Sequence, residues 1–250
     1  MKKKISQFLI NNEVSSKRAL IEAAFGLIFI FSWNMCAYRL PKIIAADWYH
    51  YDMTLPVDDL VPFAPWTITI YFGCYIFWGV NYILAVLQKK EERDRFILAE
   101  LIAKGICFAL FLLIPTTNVR PDVSEPGFWN WWMTFLYNVD SPDNLFPSVH
   151  CLVSWFCWIG VRKRKDIPFW YRAFSLVFTL AIFVSTLTTR QHVIVDVISG
   201  ALIAELCYMF TGIDKVRGLY SKLSSAVSGF VTKKLDQKRE KNKQCQNSNS

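Results

Sequence analysis

The chain alternates long apolar runs with short polar breaks. Six runs stand out, near residues 19–39, 66–88, 96–116, 148–161, 169–187 and 193–212. A helix needs roughly 20 predominantly apolar residues to cross a bilayer, so five of the runs have spanning length and the fourth is shorter. The pattern predicts an all-α integral membrane bundle of six transmembrane helices. Two other segments have an interfacial pattern. Phe128-Trp129-Asn130-Trp131-Trp132 is followed by Phe135-Leu136-Tyr137, rings that suit headgroup level or packing between helices equally. Beyond the last run, Ile213, Val216, Leu219, Leu223, Val227, Phe230 and Leu235 recur at three- and four-residue spacing among lysines and Arg217. That spacing predicts a basic amphipathic helix on an anionic leaflet. The expected organisation is a cytoplasmic segment 1–18, a six-helix domain 19–212, the interfacial helix 213–236 and a disordered polar tail 237–250.

Composition agrees with a membrane solvent. Apolar residues make up 53% and charged ones 19%, against about 45–50% and about 25% in soluble domains. Six spans would occupy about 120 positions, which this apolar fraction permits. Intrinsic disorder and a small disulfide scaffold are excluded on the same grounds. The seven cysteines show no metal-ligand spacing. The net charge of +8 acquires meaning from its distribution. Lys and Arg number five before residue 19, four in 89–95, five in 162–172 and nine after 212. The alternate breaks hold only Arg39, Lys42, Arg120 and Arg190, with several aspartates. Under the positive-inside rule both termini are cytoplasmic. The positive charge is therefore an orientation signal, and nucleic acid is not an expected partner.

Ionisable groups at membrane depth mark function or pair with one another. Glu100 and Lys104, four apart in the third run, are expected to satisfy each other; Glu22 and Glu205 have no partner that spacing identifies, and His50 reads as a surface or interfacial residue. Two clusters differ. Phe146-Pro147-Ser148-Val149-His150 carries helix-start chemistry, with Ser148 as cap and His150 in the first turn. Ser185-Thr186-Leu187-Thr188-Thr189-Arg190-Gln191-His192 precedes Asp196, which shares a helical face with His192. Arg120 follows the third run. The topology delivers Arg120, His150 and the His192–Asp196 pair to one membrane surface. Helix N-termini and an arginine fork make a phosphate pocket. An imidazole held by a carboxylate can act there as nucleophile, and a second can protonate a leaving oxygen.

Pro147-Ser148-Val149-His150 resembles the P-S-x-H motif of the type 2 phosphatidic acid phosphatase superfamily. Ser185 through Asp196 resembles its S-R-x5-H-x3-D motif at Ser, His and Asp. The family's arginine position holds Thr186, and the lysine position of its K-x6-R-P motif holds Leu113, although Arg120-Pro121 is kept. The Ser-Thr variant, with Asp58 through Trp66 upstream, looks most like the inositolphosphotransferase-like branch; the same segment also reads as a Pro-rich turn into the second run. The resemblance implies that His192 attacks phosphorus to form a phosphohistidine, with Asp196 orienting it and His150 acting as acid. Arg120 and the region of Ser148 and Ser185 would bind phosphate, and no metal or cofactor is needed.

The function so implied is a lipid phosphatase in lipid metabolism: an integral, multi-pass protein of the cell membrane. Its active site would face the non-cytoplasmic side and take a lipid phosphate or diphosphate from the bilayer. A head-group phosphotransferase using the same intermediate is one alternative, and a catalytically silent lipid-binding protein another. Arg190 is the candidate replacement for the missing cations. On that reading, Arg190→Ala lowers turnover in a phosphate-release assay; unchanged turnover would remove Arg190 from the site.

Overall fold

All six apolar runs become helices, and their ends fall where backbone chemistry stops them. The computed structural model describes residues 2–14 and 16–247. It contains α1 (Lys2–Asn11), α2 (Lys17–Ile44), α3 (Ile68–Val86), α4 (Lys90–Leu113), α5 (Phe128–Val139), α6 (Val149–Arg162), α7 (Phe169–Thr188), α8 (Ile194–Phe210) and α9 (Asp214–Asn247). The Ser16 side chain caps α2 by accepting the Ala19 amide, and Ser148 caps α6 by accepting that of Cys151. Short 3₁₀ turns, Pro56–Leu60 and Pro65–Thr67, lead into α3. Among the described residues the strand content is one parallel pair, β1 (Tyr51–Asp52) with β2 (Thr116–Thr117), which ties the α2–α3 connection to the end of α4.

Four helices, α2, α3 with its preceding turn, α4 and α7, are long and apolar enough to cross a membrane. A fifth crossing is possible if α8 and α9, bent by 87° at their junction, make one broken span. The expected six thus include α6 and α8, which fall short of spanning length alone. α9 turns aside and lies against α2 and α4, with Tyr220, Ser224 and Ser228 buried and Leu219, Leu223 and Phe230 exposed. It continues through 237–247, a stretch whose composition reads as a polar tail; Lys, Glu and Gln are good helix formers. α5 buries Met133 and Leu136 and exposes Phe128, Trp131 and Val139.

The core runs between α4, α6 and α8, where Phe96, Phe111, Leu152 and Phe156 are fully buried. Lipid tails are as apolar as leucine, so helices here associate through close packing and hydrogen bonds. The α6–α8 contact shows both. A Cβ on Gly200 would collide with the Ser148 carbonyl oxygen and press on the Leu152 amide. That closeness lets the Ser148 amide donate to the Asp196 carbonyl at 3.0 Å. At the opposite end, buried Glu22 accepts from Arg93 at 2.5 Å and from Ser228 at 2.9 Å, joining α2, α4 and α9. Glu205 takes both Arg162 nitrogens at 2.7 Å.

The expected Glu100–Lys104 pair does not form: neither carboxylate oxygen nor the ammonium has a hydrogen-bond partner among the described residues. Glu100 instead lines a cavity between α2, α3, α4 and α6. Gly200→Val is expected to lower stability by about 1–3 kcal/mol, the usual cost of overpacking. A melting temperature in detergent equal to that of the unaltered protein would show that the close approach of α6 and α8 is not needed.

Candidate active site

His192 reaches its position through the way α7 ends. The Arg190 amide donates to Leu187 and the Gln191 amide to Thr186, both at 3.0 Å. This is the paired closure of a Schellman motif, which needs a left-handed residue between helix and exit. Arg190 supplies it with φ 53°, where glycine is the usual choice. Its guanidinium donates to the Asp58 carbonyl at 3.0 Å and the Val61 carbonyl at 2.7 Å. The turn brings the His192 amide back onto the Thr186 carbonyl at 3.1 Å and starts α8 two residues later. Asp58, buried beneath, places Oδ1 2.7 Å from the Ile194 amide and Oδ2 2.9 Å from that of Leu55. A carboxylate from a distant segment thus satisfies the first turn of α8, favoured by the helix dipole.

One helical turn on, Asp196 Oδ2 lies 3.3 Å from His192 Nδ1 and accepts the Val193 amide at 3.1 Å. With Nδ1–H given to the carboxylate, the lone pair resides on Nε2. His192 and Asp196 are both nearly fully buried. The Ser148–Asp196 backbone bond anchors the start of α6 beside them, and the His150 and His192 rings lie 5.7 Å apart between centroids. His150 Nε2 is 2.8 Å from the Tyr71 hydroxyl of α3, and its ring leans on Tyr71 and Trp78.

Arg120 is held from three sides. It donates to the Asp140 carbonyl at 2.5 Å and to Gln191 Oε1 at 3.0 Å, with its guanidinium over the Tyr137 ring. Burial pulls its pKa below the ordinary value, opposed first by the Asp140 carboxylate and then by Tyr137. The Asp140 side chain accepts from Tyr38 at 2.7 Å and approaches Lys42 at 3.5 Å. Burial alone would raise the Asp140 pKa; His150, the Tyr38 hydroxyl, Lys42 and His192 together hold it below the ordinary carboxylate range.

Two spaces meet at His192. A pocket of about 330 Å³ is lined by Arg120, Arg190, Asn118, Asp52 and Asp59. A void of about 10 Å³, close to one water in size, lies among Tyr38, Asp140, His150, Gln191 and His192. Among the described residues no group of three or more His, Cys, Asp or Glu is placed to hold a metal ion.

Residues 45–210 match the family model described as the PAP2 superfamily. The chain belongs to the PAP2 superfamily. Its members are generally phosphoesterases or phosphotransferases, and its apolar helices mark this one as a multi-pass membrane protein. No curated protein and no solved structure matches.

The structure brings together His150, His192, Asp196, Arg120 and Arg190. Ser148 and Ser185 sit differently from an open phosphate ligand. Both are fully buried, with Ser148 Oγ capping α6 and Ser185 Oγ donating to the Thr67 carbonyl at 2.8 Å. Thr186, at the family's arginine position, is buried and donates to Phe183, while Leu113 is 75% exposed on the outside of the bundle. Sequence reasoning passed over Asp58, Tyr71, Asp140 and Gln191, whose partners are 136, 79, 102 and 71 positions away. Asp58 had a signal in the Asp58–Trp66 stretch; Tyr71 had none, being one aromatic ring in an apolar helix.

Because the Asp140 pKa is lower folded than its unfolded value of about 3.9, its contribution to stability is fully present above that pH and is lost as pH falls through the folded pKa. Asp140→Asn is therefore expected to flatten the loss of thermal stability below about pH 4. An acid limb that superimposes on that of the unaltered protein would show that Asp140 is not held as described.

Proposed function

We propose that this protein transfers the phosphoryl group of a membrane lipid through a phosphohistidine on His192. The observation that carries this is the placement of three groups. His192 has one ring nitrogen held by Asp196 and the other left free, and it borders the same space as the His150 ring. Nε2 of His192 would attack phosphorus, forming the P–N bond as the P–O bond to the lipid breaks. His150 would protonate the departing alkoxide. Water would then attack phosphorus, the P–N bond would break, and the water proton would return to His150. Arg120, and the α6 first-turn amides that a helix leaves without internal acceptors, would carry the charge on the equatorial oxygens. Ser148 and Ser185 would act by positioning α6 and α7. Arg190 would contribute charge at the pocket edge while holding the 58–61 segment that caps α8.

Hydrolysis of a lipid phosphate or diphosphate is the leading reading, since it requires only water as acceptor. Transfer to an alcohol has support of its own. The pocket of about 330 Å³ at His192 carries Asp52, Thr54, Asp59 and Asn118 beside the two arginines, polar groups able to hold a hydroxylated acceptor. Thr186 and the Asp58–Trp66 stretch also favour the inositolphosphotransferase-like branch. The charge pattern supports six crossings with α6 and α8 as short spans, both termini cytoplasmic, and the site on the outer side. A catalytically silent protein has less support, because both histidines and Asp196 keep geometry it would not need.

The purified protein, given phosphatidate, phosphatidylglycerol phosphate and a polyprenyl diphosphate in turn, is expected to release inorganic phosphate from at least one. His192→Ala is expected to lower the rate by several orders of magnitude. Release that survives His192→Ala would overturn the phosphohistidine, and exchange of head groups without phosphate release would convert the reading to transfer.

A further inference from the structure

Beneath the catalytic end lies a third and larger space that the phosphoryl chemistry does not use. It has a volume of about 440 Å³ and is bounded by α2, α3, α4 and α6. Its walls are mainly apolar, with Ile30, Phe31, Trp78 and Val153 among them. Phe31, Tyr75 and Ile83 of this lining are at least half exposed on the outside of the bundle, so the cavity opens sideways between α2 and α3. In a bilayer that opening faces lipid chains. Val149 borders both this cavity and the void beside His150 and His192, so the two spaces share a wall.

The cavity is not purely apolar. Glu100 lines it, is fully buried, and has no hydrogen-bond partner for either carboxylate oxygen among the described residues. Asn34 and Tyr82 line it as well, and the Asn34 Oδ1 and the Tyr82 hydroxyl are likewise buried and unpartnered. Unsatisfied polar atoms at membrane depth are costly. Four of them around one cavity describe an incomplete hydrogen-bond network. Its composition sets what completes it. Both Glu100 oxygens and Asn34 Oδ1 are acceptors, so the missing partner must donate. Lys104, one turn further along α4 and also buried, makes no hydrogen bond to Glu100 but already places one positive charge in its field, so a neutral donor suits the site better than a second cation. Tyr82 lies eleven residues beyond Tyr71 on α3, about 16 Å down the helix from the His150 contact.

We propose that this cavity binds a lipid chain that carries a neutral hydrogen-bond donor, a hydroxyl or an amide N–H, partway along its apolar length, with Glu100 as principal acceptor and Asn34 and Tyr82 beside it. The inference deepens the lipid-phosphate reading and rests on it for the position of the phosphate, but chain binding does not require turnover. The site selects the lipid by its chain and not by its head group.

The test uses the full-length protein in detergent and two phosphatidates identical except for one mid-chain hydroxyl on an acyl chain, with retained lipid counted by native mass spectrometry. One hydrogen bond to a charged acceptor predicts about tenfold preferential retention of the hydroxylated lipid. Glu100→Leu is expected to reduce that ratio to near one. Tyr82→Phe, a conservative change, is expected to reduce it in part and serves if Glu100→Leu fails to fold. Equal retention by the unaltered protein, retention of neither lipid, or a ratio that survives in both variants would overturn the proposal. Phosphate release measured on the same two lipids separates the two readings. Release with equal retention sinks the chain site alone, and a clear preference together with no phosphate release or head-group transfer from any lipid of the panel sinks the catalytic reading alone.

Discussion

One backbone hydrogen bond, from the Ser148 amide to the Asp196 carbonyl, organises the end of the molecule that carries the candidate site. It joins the cap of α6 to the first turn of α8; His150 lies in the first turn of α6, and His192 lies two residues before α8 begins. The bond is possible only because Gly200 has no Cβ to hold the helices apart. With that crossing fixed, the separation of the two rings follows from helix geometry, with no need for either side chain to be held by the other. Tyr71 from α3 and Asp196 from within α8 then orient the rings individually.

The same end shows how irregular backbone is kept satisfied near a membrane. The 55–65 segment has only short 3₁₀ turns of its own, and its carbonyls at Asp58 and Val61 are taken by Arg190, while its Asp58 carboxylate takes two amides. Arg190 accepts a left-handed backbone, at a cost of about 1 kcal/mol, and its guanidinium fixes the segment that caps α8. One cation thereby closes a helix, anchors a loop and borders the pocket. This gives a physical account of a PAP2 superfamily site in which the lysine position is Leu113 and the arginine position is Thr186. The cationic content of the pocket comes from Arg120 and Arg190, which enter it from different connections.

The two ends of the bundle use charge differently. At the end carrying Glu22 and Glu205, arginines meet carboxylates directly and hold α2, α4, α6, α8 and α9 together. A buried pair of that kind is a poor source of net stability but is costly to break, so it favours one arrangement of helices over others. At the candidate-site end, the guanidiniums of Arg120 and Arg190 are met by carbonyl oxygens and, for Arg120, by Gln191. Neutral partners fix the position of a cation without a direct ion pair, which suits the phosphate-binding role proposed for these two groups.

The sequence by itself determined the helices, the motif residues and the family. Apolar runs of spanning length, Ser148 as a cap, and the four-residue step from His192 to Asp196 are local properties, governed by hydrogen-bond periodicity and hydropathy. The charge pattern also carried the expected sidedness. Tertiary structure decided which polar groups were spent on architecture and which stayed available. Ser185 read as a phosphate ligand by its place in a motif, but its hydroxyl belongs to Thr67, 118 positions away. Glu100 and Lys104 read as a pair by spacing, but spacing places two side chains on one face without turning them toward each other. Tyr71 and Gln191 were silent for the converse reason, and Asp58 stood out only as one end of the Asp58–Trp66 stretch, without its partners. A hydrogen bond depends on separation in space, and between residues 71 to 136 positions apart only the packing of the whole bundle sets it.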